Sequence, residues 1–109
     1  MIELDVFSDT VCPWCYIGKK RLDKAVTKHD YLKFKQTWRP FQLNPGMPPD
    51  GMDRQEYLIS KFGSADAAKT IYDNIYEEGL KEGIDFNFDK IEVTPNSFNS
   101  HRLLAMAYE

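Results

Sequence analysis

From residue 2 the chain alternates, with Ile2, Leu4 and Val6 on one face and Glu3 and Asp5 on the other, the period-two pattern of a strand with one face covered. Ser8-Asp9-Thr10 is a turn cluster, and Pro13 suits the first turn of a helix, where its missing N–H would have had no partner. Cys15, Leu22, Ala25, Val26 and His29 then recur at helical spacing, while Lys19, Lys20, Asp23, Lys24 and Lys28 take the opposite side. The spacing predicts an amphipathic helix over residues 13–29. Alternation returns with Leu32, Phe34, Gln36 and Trp38 against Lys33, Lys35, Thr37 and Arg39, and Pro40 tends to end the ladder because it has no N–H to donate. Strand, helix and strand with short connections form a βαβ unit with parallel strands and a right-handed crossover.

The texture changes at Asn44-Pro45-Gly46-Met47-Pro48-Pro49-Asp50-Gly51, where three prolines and two glycines in eight residues mark a linker. Beyond it, Asp53 is placed to cap a helix running to Phe62 and ending at Gly63. Ser64 is placed to cap a second, running to Glu82 and ending at Gly83, with Ala68, Ile71, Tyr72, Ile75 and Leu80 near one face. Phe86-Asn87-Phe88 reads as a short extended piece, and Thr94-Pro95-Asn96-Ser97 as the entry to a last helix. That helix carries Phe98, Leu103, Leu104, Met106 and Ala107 up to Tyr108-Glu109 without a stop signal. A two-stranded parallel sheet is also a poor core by itself. Both features predict further sequence or a partner chain.

At 109 residues, 42% apolar and 28% charged, the chain suits one compact domain or part of a larger one. Fourteen basic against seventeen acidic residues give a net charge of −3, which argues against gripping nucleic-acid backbones. No apolar run is long enough to span a membrane. The opening Met1-Ile2-Glu3-Leu4-Asp5 lacks the pattern of a signal peptide, so the expected setting is cytoplasmic.

Two cysteines change the picture, because Cys12 and Cys15 form one C-x-x-C at the first strand-to-helix turn. A disulfide there closes too short a loop to restrain the unfolded chain much, so stapling is a poor explanation. A free thiol with a pKa of about 8.5 is only about 3% thiolate at neutral pH, and a helix N-terminus favours the anion. Cys12 is therefore expected to be activated. Lowering its pKa to about 6 would take ~3.4 kcal/mol. The dipole supplies ~0.3–2 kcal/mol, leaving the N–H and thiol of Cys15 to contribute the remainder. The expected roles are Cys12 as nucleophile and Cys15 as the thiol that resolves the mixed disulfide. Pro13 and Trp14 support the site: Pro13 fixes the backbone but removes a donor, and Trp14 adds a flat surface beside the sulfur.

The plainest rival is half of a zinc site, with His29 and His101 as further ligands, although no second closely spaced pair accompanies it. Inert packing cysteines are another. Lys19-Lys20-Arg21 could draw in anionic thiols such as glutathione, though a solvated helix face explains the run more simply. His101 could approach the sulfurs if the last helix folds back, or sit on an ordinary helix surface. Trp38 and Phe41 could line a substrate groove, or pack in a core as their alternation suggests. Met47, Met52 and Met106 form no stripe and read as gap fillers. No metal and no bound cofactor are expected.

The run Ser8-Asp9-Thr10-Val11-Cys12-Pro13-Trp14-Cys15-Tyr16-Ile17-Gly18-Lys19 resembles the active-site segment of DsbA-like thioredoxin-fold oxidoreductases of the FrnE type. Trp38-Arg39-Pro40-Phe41-Gln42-Leu43-Asn44-Pro45, Lys61-Phe62-Gly63, Pro95-Asn96-Ser97 and His101-Arg102-Leu103 resemble that family in the same order, so the likeness covers essentially the whole chain. It implies an α/β fold in which residues 1–44 are the N-terminal βαβ half of a thioredoxin-like domain and residues 45–109 begin a helical insertion. It also implies thiol-disulfide exchange at Cys12 and Cys15 with protein or small-molecule thiols and disulfides, glutathione or another thiol serving as co-substrate. The second half of such a fold, with its cis-proline loop, is missing here, so a homodimer or a separate C-terminal half is expected to complete it. Related glutathione-dependent isomerases and transferases resemble the chain in fold but typically carry Ser at the position of Cys12. That makes an isomerase the second choice, and a silent half-fold that assembles with a partner the third.

Overall fold

The computed structural model describes residues 1–107, which form two compact units: Met1–Leu43 with the segment from Ser97 onward, and Asn44–Asn96. In the first unit, β1 (Ile2–Ser8) pairs in parallel with β2 (Phe34–Pro40), Ile2 opposite Phe34 and Ser8 opposite Pro40. Pro40 ends the ladder as expected, the next N–H, that of Phe41, reaching Ser8 O at 3.1 Å. The second strand starts two residues later than Leu32, whose own N–H is taken by His29 O in the preceding turn.

Between the strands runs α1 (Pro13–Lys28), one residue shorter than expected, with Cys12 as its N-cap and Pro13 in its first turn. Its buried residue is Ile17, fully covered, and Leu22 and Val26 are half-buried. Ala25 and His29, placed on the packing face by spacing, are exposed. His29 follows the last helical residue, and its Nδ1–H donates back to Ala25 O at 2.8 Å, an orphan carbonyl of the final turn. The unit is completed by α4 (Phe98–Ala107), which buries His101 and leaves Leu103, Leu104 and Met106 exposed. This helix belongs with β1 and β2, whereas the sequence reading put it in the second part of the chain. Tyr108 and Glu109, to which the reading extended the last helix, lie outside the described residues.

In the second unit α2 (Arg54–Phe62) is capped by Asp53, which accepts the Glu56 N–H, and stops at Gly63 in the left-handed region. Next, α3 (Ala65–Lys81) is capped by Ser64, whose Oγ accepts the Ala67 N–H at 3.1 Å. Ala68, Ile75 and Gly79 are its buried residues, while Ile71 and Leu80 face outward, contrary to the expected stripe. Phe86-Asn87-Phe88 is not extended: a single 3-10 turn covers Phe88–Lys90, and the Phe86 and Phe88 rings stack with centroids 4.8 Å apart. Two short strands escape the sequence reading, β3 (Met52–Asp53) and β4 (Val93–Thr94), which pair antiparallel. Gly51 precedes them at φ 85°, where a Cβ would lie 2.6 Å from Thr94 O. Near the ends of the unit, the Asn96 side-chain amide donates to Met47 O at 2.7 Å, and Met47 is buried.

Gly79 lets α3 approach Phe86, since a Cβ there would sit 2.6 Å from a ring that the Phe88 stack holds in place. Gly79→Ala should therefore destabilise the unit by about 1–3 kcal/mol through overpacking, more than the ~1 kcal/mol that alanine returns in helix propensity. A lower midpoint of urea unfolding is the expected result, and an unchanged one would mean that Phe86 swings aside.

Candidate active site

The strand-to-helix turn of the first unit places both cysteines in the first turn of α1, each half-buried and unbridged. Cys12 has extended backbone angles, φ −98° and ψ 113°, which point its side chain back over the helix start. Its Sγ accepts the Cys15 N–H at 3.3 Å, and its carbonyl accepts the N–H groups of Cys15 and Tyr16 at 3.1 and 3.4 Å. A cysteine thus fills the capping role usually taken by an oxygen.

The expected lowering of the Cys12 pKa is not what this geometry produces. Burial pushes the thiol up to about 11 from an ordinary 9.0, and the neighbouring Cys15 thiol adds to the rise. The N–H groups of Cys15 and Trp14 act in the opposite sense and are outweighed. The physical reason is burial, which disfavours the thiolate by more than these two N–H groups favour it, and Pro13 has no N–H to add.

The loop leading to Cys12 contains the residue that sequence reasoning missed. By composition Ser8-Asp9-Thr10 is a turn cluster, yet the Asp9 side chain is fully buried. Oδ2 accepts the Leu43 N–H at 2.8 Å, and Oδ1 lies 3.1 Å from His101 Nε2, which is also 3.1 Å from Phe41 O. Both neighbours of Nε2 are acceptors, so this nitrogen carries the proton. Burial raises the Asp9 pKa, but the Leu43 N–H, the Ser97 hydroxyl, His101 and the Val11 N–H together outweigh it and hold the carboxyl below its usual 3.8. The Asp9 carbonyl in turn accepts the Cys12 N–H at 3.2 Å. Little in the local pattern announces such a residue, because all its donors but the Val11 N–H come from beyond β2 and from the start of α4. The nearest signal was the polar pair Ser97 and His101 at the last helix entry.

A depressed carboxylate stabilises the fold fully above its unfolded pKa, and that contribution is lost as pH falls through the lower folded value. Asp9→Asn should cost about 1–3 kcal/mol at pH 7 by leaving buried donors mismatched. The gap between wild-type and variant unfolding free energies should narrow as pH falls below 3.8. Parallel curves down to pH 2 would contradict the assignment.

The other candidates lie as follows. Trp14 is 42% exposed beside Cys12 in the first turn, Trp38 is half-buried in β2, and Phe41 is half-exposed just after it. His101 bonds Asp9 and Phe41 rather than either sulfur. His29 and His101 are thus each committed to carbonyl or carboxylate oxygens, and no group of three metal-ligating side chains assembles among the described residues. In the basic run, Lys19 pairs with Asp23 at 2.7 Å and Lys20 sits over the Tyr16 ring. No helix among the described residues is long and apolar enough to cross a membrane.

Over residues 3–109 the sequence matches the family model of the DSBA-like thioredoxin domain. It is similar to the uncharacterized protein YwbO of Bacillus subtilis (strain 168), 35% identical over 48 residues, which are 44% of this chain and 22% of YwbO. Its structure is similar to that of a probable DsbA oxidoreductase from Streptomyces coelicolor, with TM-score 0.84 and 29% identity, covering 99% of this chain and 47% of that one. The chain therefore spans about half the length of that structure and matches about a fifth of YwbO. The expected mixed α/β fold, thioredoxin-like with a strand-helix-strand start followed by helices, is borne out.

Proposed function

We infer the function from the family to which this chain belongs, the DSBA-like thioredoxin domains. The proposed activity is thiol-disulfide exchange through Cys12 and Cys15. The observation that supports it most is the placing of the two thiols at the start of α1, with the Cys15 N–H on Cys12 Sγ. In the reducing direction, the Cys12 thiolate attacks one sulfur of a substrate disulfide, whose S–S bond breaks and whose first thiolate leaves. Cys15 then attacks Cys12 Sγ, the mixed disulfide breaks, and the second substrate thiolate leaves. Two electrons and the two thiol protons have passed to the substrate, and Cys12–Cys15 is oxidised. The oxidising direction is the same sequence reversed.

Within the family the motif runs favour the FrnE type, with protein or small thiols as substrates and glutathione as the thiol that resets the dithiol. A second copy or a separate C-terminal half would supply the remainder of the substrate groove. The test is an equilibrium titration of the chain in glutathione buffers, reading oxidised and reduced fractions from the mass added on alkylation. A reversible two-electron transition is the expected result. Cysteines that never pair, or that react only after a chelator is added, would overturn the reading in favour of a structural or metal-holding role.

A further inference from the structure

Three residues separate β1 from Cys12, and each is tied down. Asp9 is held through its carboxylate by Leu43, Ser97, His101 and Val11. Thr10 Oγ1 meets Ser100 Oγ at 2.6 Å, and Ser100 Oγ also bonds Ser97 O at 2.7 Å. Val11 gives its N–H to the Asp9 carboxylate, and the Asp9 carbonyl takes the Cys12 N–H at 3.2 Å. The start of α4 thus grips the loop from the far end of the sequence, His101 standing 92 positions from Asp9. A buried carboxylate is costly to install unless its lone pairs are filled. A plain connection between β2 and α4 would be served as well by apolar packing, which is often the more stable choice. What the carboxylate adds is direction: its oxygens fix the loop from several sides at once, and the carbonyl of the same residue fixes the Cys12 backbone.

We propose that Asp9 and His101 are positioning residues for the exchange reaction, acting through the loop that presents Cys12 to Cys15. The proposal rests on the thiol-disulfide reading above. Disulfide closure demands a narrow range of Cα separation and torsion. Two thiols held near that geometry have a high effective concentration toward each other. Loosening the loop spreads the Cys12 sulfur over more positions and lowers that concentration, so glutathione reduces the disulfide more easily. The His101 Nε2–H serves Asp9 and the Phe41 carbonyl together, and a glutamine amide can offer N–H groups at a similar reach.

The test compares the glutathione equilibrium of wild type, His101→Ala and His101→Gln at a temperature where circular dichroism shows all three folded. His101→Ala is expected to shift the equilibrium about tenfold toward the reduced dithiol, equivalent to ~30 mV, and His101→Gln to return to within threefold of wild type. A merely structural His101 would lower the unfolding midpoint and leave the potential of the folded chain where it was. A His101→Ala chain that folds and titrates with wild type overturns the proposal, as does a glutamine variant no closer to wild type than the alanine one. Should His101→Ala not fold, Asp9→Asn, which alters the carboxylate that His101 meets, is the deciding variant, compared at a temperature where it is folded. A shift of about threefold toward the reduced form supports the proposal, and coincidence with wild type overturns it. If the wild-type dithiol shows no reversible transition, the oxidoreductase reading falls and the proposal with it. If wild type titrates normally and the variants coincide with it, only the positioning role is lost.

Discussion

Cys12→Ser is expected to reduce turnover of a test disulfide by a thousandfold or more, on the order of what removal of a nucleophile costs elsewhere. Serine keeps the cap geometry, since its hydroxyl can accept the Cys15 N–H that now reaches Cys12 Sγ. It cannot form or break an S–S bond. The loss is therefore chemical, and the unfolding midpoint should stay close to that of the reduced wild-type chain. Cys15→Ser should behave differently, because Cys12 still attacks but nothing resolves the product, and the substrate remains attached as a mixed disulfide visible by mass. Turnover of a dialkyl disulfide followed by thiol release, together with intact mass, separates the cases. A Cys12→Ser chain with wild-type turnover would remove Cys12 from the mechanism.

The second large effect concerns pH. With Cys12 pushed up to about 11 by burial, its reaction with iodoacetamide should climb steeply through the neutral and alkaline range without levelling off below pH 10. At pH 7 only about one Cys12 in ten thousand is then thiolate. Relative to a thiol of pKa 9.0 this is about a hundredfold less anion, offset roughly tenfold by the greater intrinsic nucleophilicity of the more basic thiolate, so the net rate is about a tenth. Peptide mapping after timed alkylation isolates Cys12 from Cys15. A plateau by pH 7 would show that the helix N-terminus outweighs burial. The same shift stabilises the folded, reduced chain: that contribution is whole below the unfolded pKa and disappears as pH rises through 9.0 toward 11.

The elements that announced themselves were those whose determinants are local. Alternation in β1, Pro13 at the start of α1, and the Asp53-Gly63 and Ser64 signals around α2 and the start of α3 are short-range chemistry, and the structure places the elements there. The misreadings lie where contacts outside the element itself decide. Ile71 and Leu80 look like packing residues by period alone, yet the buried side of α3 is defined by where Phe86 rests on Gly79. The short strands β3 and β4 pair Met52 with Thr94, a relation that no run of two residues can signal. At the site, the C-x-x-C was legible because its two thiols lie within one helical turn of each other in the sequence. Asp9 was not, because a buried carboxylate is recognised by its donors, and three of these, Leu43, Ser97 and His101, lie far along the chain.

The contact between Asn96 and Met47 also bears on how quickly the chain folds. The first unit is interrupted after Leu43 and resumes at Ser97, so its closing contact, Asp9 with His101, must bring together residues 92 positions apart. Such long-range closure slows the folding search. Because the Asn96 amide meets the Met47 carbonyl near the two ends of the intervening segment, that segment, once folded, behaves as a short connection. Replacing a flexible loop of roughly 50 residues by an effective one of about four lowers the closure entropy by ~2 kcal/mol. Folding residues 44–96 first is therefore the entropically cheaper order, with the docking of α4, which seats His101 against Asp9, expected as the closing step.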